Sequence, residues 1–198
     1  MSKTVEFFFD VGSPASYLGW TQLPGLCERN GAELLYRPML LGGVFQATGN
    51  ASPISVPAKG RYMLSDLQRY ARRYGVPFTF NPHFPINTLG LMRGAVGYQL
   101  QQPESFPRYL TAIYRALWAE QRNLGDEAVL AATLDAAGLD ARHYRTMIAE
   151  DDVKAALKAN TEEAVRRGVF GAPTFFIGDE MFFGQDRLEF VDEALKGA

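Results

Sequence analysis

The sequence predicts an α/β fold in which one sheet is assembled from both ends of the chain and interrupted by a helical insertion. Two observations predict it. Each end carries short aromatic strands next to a helix, and the long middle carries helical periodicity with no strand pattern. A sheet domain split by an insertion explains this order better than two consecutive domains. It assigns residues 1–45 and 152–198 to the sheet domain and 46–151 to the helical insertion.

Val5 to Phe9 is short, aromatic and closed by Asp10-Val11-Gly12-Ser13-Pro14, which reads as a buried strand running into a turn. Ser13 is placed as a helix N-cap with Pro14 at the first helical position, where its missing N–H is no loss. Tyr17, Trp20, Leu23 and Cys27 form one side of the helix that follows. Pro24-Gly25 predicts a kink or break inside it, and Asn30-Gly31 a stop. Ala32 to Arg37 reads as a second strand. A β–α–β crossover of this kind favours a parallel pair.

Gly42 to Gly60, with its glycines and prolines, reads as a loop-rich connection. Beyond it Met63, Leu67, Tyr70 and Tyr74 make an apolar helical stripe, with Arg69, Arg72 and Arg73 on the opposite face. Val76 to Pro85 reads as an extended loop. Helices follow over Leu89–Leu100 and Phe106–Trp118, after Asp126 up to Gly138, near Arg142–Ala149, and from Val153 to Gly168. Pro173 after the last of these suggests a turn with a cis peptide. Thr174–Ile177 and Met181–Phe183 read as a hairpin about Gly178-Asp179-Glu180. Asp186 and Glu189 have the spacing of a capping box at the start of the final helix.

Composition narrows the function. The chain has 198 residues, 47% hydrophobic and 21% charged, with a net charge of −2, which is ordinary globular usage without the basic excess of a nucleic-acid binder. A single cysteine, Cys27, excludes an internal disulfide framework and a multi-thiolate metal site, and two histidines leave little for zinc, so no metal is expected. No run reaches the ~18–20 apolar residues of a membrane span. The first residues carry no apolar core with a small-residue cleavage site, so a cytoplasmic protein is expected.

In a parallel β–α unit ligands collect at the strand's carboxyl end and the next helix's N-terminus. Ser13 and Ser16 lie there, at the positive end of a helix dipole, where an anion such as a thiolate is stabilised. The plainer reading, that Ser13 only caps the helix, stands beside it. The second notable run, Val169-Phe170-Gly171-Ala172-Pro173-Thr174-Phe175, is either part of a site or an ordinary helix-to-strand connection.

Taken together, Phe7-Phe8-Phe9-Asp10 with Ser13-Pro14-Ala15-Ser16-Tyr17, Lys59 with Tyr62-Met63 and Asp66-Leu67, the late Val169-to-Phe175 run, and Gly178-Asp179-Glu180-Met181 with Gly184-Gln185-Asp186-Arg187 resemble a known group. They are similar to the thioredoxin-like fold with a helical insertion. Within it they resemble the 2-hydroxychromene-2-carboxylate isomerase family, grouped with DsbA-type proteins and close to kappa-class glutathione transferases. The resemblance spans essentially the whole chain. A disulfide oxidoreductase of this fold needs two cysteines at the helix start. This chain has Ser13 and Ser16 there, and Cys27 lies about three helical turns further on, so two-cysteine exchange is excluded.

The resemblance implies glutathione as cofactor and a small aromatic carboxylate as substrate. It implies interconversion of 2-hydroxychromene-2-carboxylate and trans-o-hydroxybenzylidenepyruvate by thiolate addition, bond rotation and elimination, within aromatic-compound catabolism and in a homodimer. By the same resemblance Ser13 is the catalytic residue and bonds the glutathione sulfur, and Ala172 pairs with the tripeptide backbone. Gln185 and Asp186 hold the γ-glutamyl end, Asn50 and Lys59 lie near glutathione or substrate, and Asn87 lies on the substrate side. Asp186 also fits a helix cap, and Lys59 also fits a solvated loop lysine. A kappa-like transferase and a non-catalytic thioredoxin-fold binding module remain as alternatives. Cys27 reads as a core thiol, His83 as a loop histidine, His143 as a surface one, and the Lys59, Arg61, Arg69, Arg72 and Arg73 cluster as a solvated face.

Overall fold

The computed structural model describes residues 3–197. Met1, Ser2 and Ala198, assigned above to the sheet domain, lie outside the described residues. β1 (Lys3–Phe9) is the centre of gravity. It pairs in parallel with β2 (Ala32–Pro38) on one side and antiparallel with β3 (Thr174–Ile177) on the other, and β4 (Glu180–Phe183) closes the four-stranded order β2-β1-β3-β4. The sheet thus joins the two ends of the chain.

Period-two alternation sends successive β1 side chains to opposite faces. Phe7 and Phe9 enter the larger core with Val5. The Phe7 ring stacks on Phe9 and Phe175 and meets Tyr36 edge-on. Phe8 points the other way, into a smaller core with Met39, Val44, Ala164, Val169 and Phe176. On that second face Glu6 pairs with Arg37 and Arg167, and the Arg167 guanidinium lies 3.8 Å from the Phe176 ring centroid. Burying one such aromatic ring stabilises the fold by about 1.5–3 kcal/mol.

Between β1 and β2 runs α1 (Pro14–Asn30), capped by Ser13 and ended by Gly31, whose φ of 60° closes two carbonyls with its N–H. The break expected at Pro24-Gly25 does not occur, and the helix continues through Pro24. Leu23, Leu26 and Cys27, all buried against the larger core, hold the turns on either side of the missing N–H. Burial also pushes the Cys27 thiol up to about 11, which suits a core residue.

The segment read as loop-rich between Gly42 and Gly60 instead holds α2 (Leu41–Thr48), a 3-10 turn at Pro53–Ser55, and the first turn of α3 (Pro57–Tyr74). Tertiary packing overrides the weak helix propensity of Gly42-Gly43. Val44 is fully buried, and a Cβ on Gly43 would sit 3.2 Å from Thr161 Cγ2 of α8 (Asp151–Arg166), so the glycine permits the close approach.

The remaining helices follow the sequence expectation closely. They are α4 (Leu89–Gln101), α5 (Phe106–Trp118), α6 (Glu127–Ala136, capped by Asp126) and α7 (Ala141–Met147). α9 (Leu188–Gly197) ends the described chain. No helix among the described residues is long and apolar enough to cross a membrane.

Candidate functional site

At the carboxyl end of β1 the backbone folds into the Asp10–Ser13 turn, with Ser13 N–H donating to the Asp10 carbonyl at 3.0 Å. Neighbouring elements fix the turn from outside. Trp118 of α5 donates to the Val11 carbonyl at 2.8 Å, and Val11 N–H meets the Met92 sulfur of α4 at 3.3 Å. Its rigidity therefore comes from side chains more than 80 residues away in sequence.

Ser13 then plays two parts at once. Its oxygen accepts from Ser16 N–H at 3.1 Å, which is the cap. Its hydroxyl proton is donated to the Ala172 carbonyl at 3.0 Å, across 159 residues of sequence. The cap is real, yet it does not exhaust the residue. Among the described residues the Ala15 N–H of the same first turn has no hydrogen-bond partner, so one donor of the helix end stays open. Ser16 is fully buried and its hydroxyl has no partner among the described residues.

Ala172 precedes Pro173 through a cis peptide, as the sequence suggested. Its own N–H has no partner among the described residues. A backbone N–H and C=O offered side by side in this way can pair with an extended peptide as a short strand does.

Three further predicted residues are tied to the same loop. Asn50 donates from its side-chain nitrogen to the Phe170 carbonyl at 2.7 Å. Gly184 N–H donates to the Pro173 carbonyl at 3.0 Å, which sets Gln185 and Asp186 directly behind the loop. Gln185 is buried, and its carbonyl accepts from Tyr74 of α3 at 2.8 Å. A cavity of about 430 Å³ opens beside Gln185 and Asp186, walled by Gln22, Tyr70, Arg73 and Tyr74; Ser13 and Ala172 lie outside it.

The helix-cap reading of Asp186 is overturned. Gln185–Arg187 form a 3-10 turn without a side-chain cap, and α9 starts only at Leu188. The Asp186 carboxylate instead meets the Arg187 guanidinium at 2.6 Å, and Glu189, its expected capping partner, pairs with Arg73.

Lys59 and Asn87 stand apart from this set. Lys59 is exposed in the first turn of α3 and makes no hydrogen bond or ion pair among the described residues. Asn87 is exposed, and its side-chain oxygen accepts from Leu89 N–H at 3.0 Å, closing the start of α4. His83 is exposed, as are Arg61, Arg69, Arg72 and Arg73, while His143 meets Gln102 at 3.0 Å.

Sequence reasoning missed Asp10 and Thr88. Asp10 is 1% exposed, with its carboxyl beneath the turn. It accepts from Gly12 N–H at 2.8 Å, Leu41 N–H at 2.9 Å and the Thr88 hydroxyl at 3.0 Å. Burial pushes its pKa upward, against the pull of those donors. The available signal was an acid directly after three phenylalanines, at a strand end too apolar for a solvated carboxylate.

The chain is similar to known proteins along nearly its whole length. The family model described as a DSBA-like thioredoxin domain matches residues 4–196. A 2-hydroxychromene-2-carboxylate isomerase of Sphingobium xenophagum is 34% identical over 197 residues, covering 98% of this chain and 99% of that protein. Glutathione S-transferase kappa 1 of Homo sapiens is 30% identical, covering 98% of this chain and 92% of that protein. A solved structure of 2-hydroxychromene-2-carboxylate isomerase superposes with a TM-score of 0.86 at 30% identity, covering 98% of this chain and 94% of that one.

Proposed function

The chain belongs to the DSBA-like thioredoxin domain family, with the 2-hydroxychromene-2-carboxylate isomerases and near the kappa-class glutathione transferases, and from that premise we propose that it is a glutathione-dependent isomerase. The reaction is the interconversion of 2-hydroxychromene-2-carboxylate and trans-o-hydroxybenzylidenepyruvate. The observation that carries this reading is the Ser13–Ala172 contact, a hydroxyl and a peptide-binding backbone brought together at a helix start that holds no thiol of its own.

The residues present fit glutathione. Ala172 offers a carbonyl and an N–H, and Ala15 a helix-end N–H, both N–H groups without a partner among the described residues. The chemistry that glutathione supplies when bound is a thiolate, which adds reversibly to a conjugated double bond and leaves after that bond has rotated.

The chain's own residues prepare that thiolate. Ala172 takes the tripeptide backbone on its N–H and C=O. The Ser13 hydroxyl, now donating to the Ala172 carbonyl, would donate to the sulfur instead, while its oxygen accepts from Ser16 N–H as the cap. The helix dipole alone contributes about 0.3–1 kcal/mol. Lowering a thiol pKa by one unit needs about 1.4 kcal/mol, so the Ser13 and Ala15 donors must supply the rest. Asp186 and Gln185 would hold the γ-glutamyl end, Asp186 toward its ammonium. Asn50 holds the loop before Ala172 through the Phe170 carbonyl, while Lys59 and Asn87 would serve the carboxylate substrate.

In the same reading residues 46–151 form an insertion that covers the site, and the enzyme is a cytoplasmic homodimer working in aromatic-compound catabolism. The relatives named as kappa-class transferases favour a second reading, in which the thiol stays on the product. Mass spectrometry separates the two: product of unchanged mass with catalytic glutathione supports the isomerase, and a glutathione adduct supports the transferase. Absence of both, with no dependence on Ser13, leaves a binding module.

A further inference from the structure

The buried Asp10 carboxyl is used by none of the steps above. Resting on the glutathione reading, we propose that Asp10 is a positioning residue, which fixes the Ser13 turn against the starts of α2 and α4 and acts on the bound sulfur only through Ser13.

The geometry is that of a three-way tie. One carboxyl oxygen takes Gly12 N–H at 2.8 Å, within the turn that carries Ser13. The other takes Leu41 N–H at 2.9 Å, at the first residue of α2, and the Thr88 hydroxyl at 3.0 Å, just before α4. All three partners are donors here, so the site matches an acceptor-only group with two oxygens. An amide in its place would turn an N–H₂ toward at least one N–H or hydroxyl donor. The tie is tight as well as polar, because a Cβ on Gly12 would stand 2.6 Å from Thr88 Cγ2.

The consequence is specific to the sulfur. The Gly12 peptide immediately precedes Ser13, so a shift of the tie moves the Ser13 hydroxyl relative to Ala172. The residues that hold the rest of the tripeptide, Gln185 and Asp186, hang from the Pro173–Gly184 bond and are not touched by Asp10. The same carboxyl also sets the spacing between Ser13 and Asn87, the neighbour of Thr88.

The test uses Asp10→Asn, Thr88→Val and Thr88→Ser in the full chain. Glutathione affinity is read by calorimetry, the ionisation of the bound thiol by its ultraviolet absorbance against pH, and turnover with the isomerase substrate. Asp10→Asn is expected to raise the thiol ionisation midpoint and lower kcat about tenfold, with glutathione Kd within about twofold. Thr88→Val should shift both in the same direction by a smaller factor, and Thr88→Ser, which keeps the hydroxyl, should restore them. If the thiol midpoint and kcat stay at wild-type values while only thermal stability falls, Asp10 is structural and the proposal is overturned. Should Asp10→Asn fail to fold, the Thr88 pair decides by the same criteria. If wild-type protein itself neither binds glutathione nor shows a thiolate, the function reading falls and this proposal falls with it, an outcome visible before any variant is made.

Discussion

The hydroxyl of Ser13 donates to the carbonyl of Ala172 at 3.0 Å, joining the start of α1 to the loop before β3. The Ser13 proton is thus held by the carbonyl of the residue that, in the proposed function, would pair with the tripeptide backbone, so that reading requires the hydroxyl to turn from Ala172 to the sulfur.

Ser13→Ala removes both the donor and the cap. Turnover at neutral pH should fall by about 10²–10³-fold, the usual loss for one preorganised donor to a developing anion. The bound thiol should ionise at higher pH. Loss of the cap to Ser16 N–H should cost about 1 kcal/mol in urea unfolding. A variant that loses the stability and keeps the thiol ionisation would show Ser13 to be a cap and nothing more.

One carboxylate oxygen of Asp186 meets Arg187 in this structure, so in the proposed function a γ-glutamyl ammonium would share or compete for that carboxylate. Asp186→Asn should weaken glutathione binding about tenfold, the lower end for a hydrogen bond to a charged group. Arg187→Ala, which frees the carboxylate, should leave binding equal or tighter. Calorimetry of both variants checks this; equal affinity for Asp186→Asn and wild type would remove Asp186 from the site.

Much of this was legible from residue order, and the exceptions have physical reasons. The strand Val5–Phe9, the Ser13-Pro14 helix start and the hairpin read about Gly178-Asp179-Glu180 are local signals, and they appear close to where the sequence puts them, with β1 starting at Lys3 and Glu180 already in β4. α2 was not legible, because Gly42-Gly43 read as loop, while Gly43 lets the helix approach Thr161, a contact made far along the chain. Pro24-Gly25 read as a kink or break, and packing of Leu23 and Leu26 carries the helix through without a break. The Asp186–Glu189 pair had the spacing of a capping box, yet Arg187 and Arg73 take the two carboxylates. The role of Asp10 was hidden because its donors, Leu41 and Thr88, are not its sequence neighbours.

Burial leaves Asp10 with a raised pKa, and this has a definite sign for stability. The folded state holds the Asp10 proton more tightly than the unfolded chain, where the group titrates near 3.8. Its contribution to stability is therefore fully present below that value and is lost as pH rises through the folded pKa. Urea unfolding of wild type and Asp10→Asn over this range should show the wild type losing ground to the variant as pH increases. A difference that grows in favour of wild type with rising pH would mean the three donors outweigh burial.

Gly12 is a last point at which packing and mechanism meet. It needs no unusual backbone angle, so its lack of a side chain serves space rather than conformation. An alanine Cβ there would stand 2.6 Å from Thr88 Cγ2 and 3.3 Å from the Asp10 carboxyl oxygen. Neither neighbour is a flexible chain end, since both belong to the tie beneath Ser13. Gly12→Ala should therefore destabilise the protein by about 1–3 kcal/mol, as overpacking does. Thr88→Ser removes Cγ2 and keeps the hydroxyl, so the double variant Gly12→Ala with Thr88→Ser should recover most of that loss. A double-mutant cycle in urea measures the coupling between the two positions. Additive losses would show that the turn relaxes away from α4 without strain, and that Gly12 is small for some other reason.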